Sequence, residues 1–122
     1  MKELITVSKI LDNTYSHPSS SGTYSINHGL QGNMLEIRYS TIVHFASESS
    51  LQQQTTRLRE QSAQLIDEVM ANLKSDFREA EGVALKVKDL GGRDDLELIS
   101  ATSNSPGKVS YYKNKRVFEL AV

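Results

Sequence analysis

The chain has 122 residues, with 14 Lys plus Arg against 15 Asp plus Glu, no Cys and no Trp. That length supports one buried core and is too short for two ordinary domains. A net charge of −1 excludes a surface built wholesale to attract nucleic acid or anionic lipid, and the lack of cysteine excludes disulfides and thiol chemistry.

Leu4-Ile5-Thr6-Val7 and Ile10-Leu11, rich in β-branched residues, predict a short strand over residues 3–11. From Asp12 to Asn33, Ser, Gly, Asn and Thr dominate, and apolar residues such as Tyr15, Tyr24 and Ile26 come singly. The run Pro18-Ser19-Ser20-Ser21-Gly22 buries too little apolar area to offset its ordering entropy. Residues 1–33 are therefore expected to form a strand and a flexible arm, and residues 34–122 a single α+β domain.

A second strand is predicted over residues 34–46, where Leu35, Ile37, Tyr39, Val43 and Phe45 share one face of a period-2 pattern. Ile42 is the apolar residue on the other face. Ser47-Glu48-Ser49-Ser50 then opens a helix, and Ser49 with Gln52, or Ser50 with Gln53, has capping-box spacing. The helical pattern covers residues 49–81, and Gly82 stands where a left-handed C-cap is wanted. Such a rod is roughly 48 Å long. Its apolar stripe is strong in the second half (Ile66, Val69, Met70, Leu73, Phe77). In the first half, where it carries Leu51 and Leu58, it is thin, and the other side there is glutamine-rich (Gln52, Gln53, Gln61, Gln64).

The remainder reads as a four-stranded antiparallel meander, with strands over residues 83–89, 95–101, 108–112 and 116–121. Turns are expected at Gly91-Gly92-Arg93-Asp94-Asp95, at Ser103-Asn104-Ser105-Pro106-Gly107 and at Lys113-Asn114-Lys115. The predicted fold is α+β, one long helix packed on an antiparallel sheet.

Strands of about six residues are only about 20 Å long, so a helix of roughly 48 Å overshoots them at its weakly apolar end. Bare helix ends are marginal in water. The overhang is therefore expected to be covered either by the chain's own long strand and arm or, the reading preferred, by another subunit through Leu51, Leu58 and Leu65 at heptad spacing. Tyr15, Tyr24 and Ile26 would anchor the arm on the same neighbour.

Candidate chemistry is sparse. Of the three histidines, His17 and His28 fall in the expected arm and His44 on a polar strand face, and no Gly-x-Ser-x-Gly elbow holds a nucleophile. Asp89, Asp94 and Asp95 offer oxygens for a hard cation but lack EF-hand spacing, and ordinary turn chemistry accounts for them. No glycine-rich loop feeds the helix, which excludes nucleotide binding of the P-loop or Rossmann kind. No catalytic, cofactor or metal residues are assigned.

The expected role is that of a non-enzymatic assembly protein whose partner is itself. Its Ser-, Gln- and Asn-rich texture resembles small virion components such as phage tail or neck proteins. No apolar run is long enough to cross a membrane, and the opening Met1-Lys2-Glu3-Leu4-Ile5 lacks a secretion signal's apolar stretch. The expected location is cytoplasmic, or the virion. One rival reading is a single-stranded nucleic-acid-binding or regulatory module using Lys108, Tyr112, Lys113, Lys115 and Arg116. Another is a small-molecule binder or inhibitor holding its ligand between helix and sheet.

Overall fold

The alternation that starts at Met34 builds the spine of the sheet. In a computed structural model, which describes residues 2–15, 24–100 and 108–122, strand β2 (Met34–Phe45) is a central strand. Its Leu35, Ile37, Tyr39, Val43 and Phe45 are buried on one face, while Ile42 points outward and is 54% exposed. β2 turns back antiparallel on β1 (Tyr24–Gln31) through Gly32-Asn33. Gly32 has φ 60°, the positive value that a II′-type hairpin needs at its first central residue.

Helix α2 (Glu48–Glu81) follows β2 and returns over the buried face. Ser47 is its N-cap, accepting from the Ser50 amide at 3.3 Å, two residues before Ser49 and three before Ser50, where the box was expected. The C-cap is Gly82 at φ 74°, as the sequence requires. Beyond it, β3 (Lys86–Ser100) and β4 (Lys108–Ala121) complete an antiparallel sheet in the order β1-β2-β4-β3. The class is α+β, a long helix on a four-stranded antiparallel sheet. No helix of the described residues is long and apolar enough to cross a membrane.

Several expected elements differ. Residues expected as a strand over 3–11 form helix α1 (Lys2–Tyr15). Leu4, Val7 and Leu11 stand at helical spacing, and docking Val7 and Leu11 at 0% exposure into the common core outweighs the β-preference of single residues. Thr6 hydrogen-bonds the Glu81 carboxylate, and Asp12 meets His28 Nε2 at 2.9 Å, so the helix is tied to both α2 and β1. Strand β1 occupies residues expected to be arm, because Ile26 reaches the core and the hairpin supplies the backbone partners. The centre of that expected arm, residues 16–23, lies outside the described residues.

The four-strand meander is two long strands. Lys113-Asn114-Lys115 is no hairpin: none of the three has positive φ, and Asn114 continues β4 with its side chain toward α2. Gly91-Gly92 is a bulge inside β3, where the register with β4 shifts between Asp89 and Gly92. Gly91 has φ 90° and donates its amide to Asp89 Oδ1 at 2.8 Å. The turn expected at residues 103–107 lies outside the described residues.

Long strands change the account of the helix. β2 has 12 residues, so it runs about 40 Å against about 51 Å for the 34 residues of α2. Buried α2 residues extend from Thr55 to Phe77. The expected overhang of half a helix shrinks to its first two turns, and Leu51, Leu58 and Leu65 are half-buried and packed against the core.

Candidate functional site

Helix α2 meets the sheet along two seams of different chemistry. On the β3–β4 side the seam is polar. Arg59 pairs with Asp94, and Arg116 bridges Asp67 (2.7 Å) and Asp89. Beneath them Ser62 Oγ donates to the Arg59 carbonyl (3.2 Å) and accepts from Asn114 Nδ2 (2.7 Å), which leaves Tyr112 Oη as the donor of its 3.3 Å contact. Tyr112 is fully buried, and that burial raises its phenol pKa. Among the described residues no buried side-chain polar atom lacks a partner.

The Gly91 amide first, and the Arg116 guanidinium second, hold the Asp89 carboxyl below its ordinary value. A carboxylate stabilised in this way supports the fold above its unfolded pKa and stops doing so as pH falls through its folded one. Urea midpoints are therefore expected to fall as pH drops below about 4. In Asp89→Asn that fall should be shallower, and an unchanged slope would show that the pair is irrelevant to stability.

Two sequence candidates fall on or beside this seam. Asp89, Asp94 and Asp95 do not converge: each is held by a different arginine, Arg116, Arg59 and Arg93. Among the described residues no group of three His, Cys, Asp or Glu is placed to hold a metal. Of the five residues expected to touch nucleic acid, the four whose side chains are described divide between two faces. Tyr112 and Arg116 face α2, one buried and the other ion-paired. Lys113 and Lys115 face outward, where they meet Glu97 (3.8 Å) and Glu36 (3.5 Å). The Lys108 side chain lies outside the described residues.

The seam on the β1 side is open, with apolar and aromatic side chains among uncharged polar ones and a single carboxylate. Tyr24, Tyr39 and Thr41 form the floor of a cleft of about 530 Å³, and Leu58, Gln61, Gln64, Leu65 and Glu68 of α2 form its wall. Tyr24 stacks on Tyr39 with ring centroids 5.4 Å apart, and Tyr39 meets the edge of Tyr112 at 6.2 Å. The floor is thus braced by the buried polar network. Leu58 and Gln61 also border a neighbouring notch that includes Ile42, His44, Gln54 and Arg57.

Three of the six residues expected at a subunit contact, Tyr24, Leu58 and Leu65, meet in this cleft. Leu51 lies further toward the helix N-terminus, half-buried against the core. Ile26 is a core residue at 8% exposure and presents nothing to a neighbour. The Tyr15 side chain lies outside the described residues. Sequence reasoning missed Gln61, Gln64 and Glu68 as cleft residues and Arg57 in the adjoining notch. The signal was there in the glutamine-rich side of the helix, which lies against Leu58 and Leu65 rather than away from them. No protein-family model, curated protein or solved structure matches this chain.

Proposed function

We propose that this chain is a non-enzymatic assembly protein that builds a homo-oligomer or larger complex, as small virion components such as phage tail or neck proteins do. The observation that carries this reading is the cleft at the β1-side seam, where half-buried Leu58 and Leu65 face solvent beside stacked tyrosines. Apolar area left open next to uncharged glutamines suits a protein contact, which needs apolar anchors within a polar rim. The placement of Tyr112 and Arg116 toward α2, away from outward-facing Lys113 and Lys115, favours this reading over nucleic-acid binding.

Mass by light scattering over a concentration series tests the proposal, with oligomers expected to accumulate as concentration rises. In Leu58→Asp the oligomer should dissociate while most of the far-UV helix signal persists, because the contact would fully bury a carboxylate that the monomer leaves half-exposed. A strictly monomeric mass at every concentration overturns the assembly reading. A second reading, small-molecule binding, draws on the cleft's size, since about 530 Å³ lies within the range of ligand pockets. It requires a metabolite or nucleotide that raises the thermal midpoint of the monomer.

A further inference from the structure

Resting on the reading of the β1-side cleft as an assembly contact, we propose that its occupant is a second copy of this chain, set antiparallel so that the exposed stripe of α2 pairs with itself. From its N-terminal end the stripe reads Arg57, Leu58, Gln61, Gln64, Leu65 and Glu68. A cation stands at one end and an anion at the other. A leucine lies inside each, and two glutamines occupy the middle. Turned end for end, the stripe sets Glu68 against Arg57, Leu65 beside Leu58 and Gln64 against Gln61, and each contact occurs twice.

A two-fold interface requires this property, because one surface must complement itself. Arg57 and Glu68 lie about three turns apart on one side of the helix, so both ends engage together. A parallel pairing instead stacks arginine on arginine and glutamate on glutamate. Among the described residues Arg57 and Glu68 are exposed and form no ion pair, although Arg59, Arg93 and Arg116 all do. The helix thus carries a matched pair of charges that its own fold leaves unused. The amide groups of Gln61 and Gln64, exposed between them, donate and accept across the axis in either orientation.

The test uses the full chain, Arg57→Glu, Glu68→Arg, and a 1:1 mixture of the two variants, each followed by sedimentation and light scattering at low salt. Each variant alone places like charges at both ends of the pairing, and its dimer dissociation constant is expected to rise by about 10-fold or more. In the mixed dimer every end again carries opposite charges, so the mixture should return to within about 3-fold of the unaltered chain. Raising the salt concentration should weaken the unaltered dimer and relieve the single variants. A dimer indifferent to both substitutions, or variants whose mixture stays dissociated, overturns the antiparallel pairing and leaves the assembly reading standing. A chain that is monomeric throughout overturns both.

Discussion

Gly92→Ala is expected to cost about 3 kcal/mol or more of folding stability, at the upper end of what overpacking does. A Cβ built at this position falls 2.1 Å from the Lys115 carbonyl oxygen and 2.7 Å from Cγ of Arg116. The oxygen belongs to the backbone of β4, so no rotamer change makes room, and the two strands must part where the bulge ends. The displaced strand carries Asn114 and Arg116, which hold α2 through Ser62 and Asp67. One methyl group therefore disturbs the ladder and the polar seam together. Urea denaturation measures the loss, and a midpoint close to that of the unaltered chain would show that the strands do not approach so closely in solution.

Phe77→Ala is expected to cost about 3–5 kcal/mol. Phe77 is at 0% exposure and belongs to the same cluster as Val7, Leu11 and Leu73, where both helices and the sheet meet. Truncation removes the transfer energy of the ring and leaves a void, since helices joined by close-packed side chains collapse only in part. The urea midpoint should drop with little change in slope. A loss below about 1 kcal/mol would mean that the site refills and that α1 is loosely docked. Leu58→Asp bears on association, and these two variants bear on the monomer's core, so the assays separate the two roles.

The long helix was legible because its signals agree: an unbroken period from Glu48 to Glu81, serines before it and Gly82 after it. β2 was legible from strict alternation ending in a change of period. The failures share another cause. In β4 the inward positions alternate Tyr112, Asn114 and Arg116, and polar residues facing a helix look like a turn when their partners are unknown. Asp94 misled in the same way in β3, since its partner Arg59 lies on a different element. Helix α1 was missed because β-branched residues outvoted the spacing of Leu4, Val7 and Leu11. That spacing acquires meaning only with a surface to dock on.

The same dependence on partners shaped the candidate site. Leu58 and Leu65 were visible as apolar residues on a thin stripe, but their neighbours Tyr39 and Thr41 come from a different strand. Local patterning names the residues that want cover. Where the open surface lies is a tertiary fact, set by how far α1 and β1 extend along α2.

The strand order β1-β2-β4-β3 also bears on how the chain assembles from its unfolded state. Each edge strand finds its mate within its own hairpin, so both halves zip up from nearby segments. The central seam joins β2 to β4 across the whole of α2, Phe45 with Lys108 being its least remote pair. Of the three strand pairings, closing that seam carries the greatest loop entropy. Until it closes, each hairpin offers one long bare margin to any strand it meets, a neighbour's included. The moment of greatest vulnerability to misassembly is thus set at the sheet's midline, on the strand whose Tyr39 and Thr41 also floor the cleft that we assign to proper association.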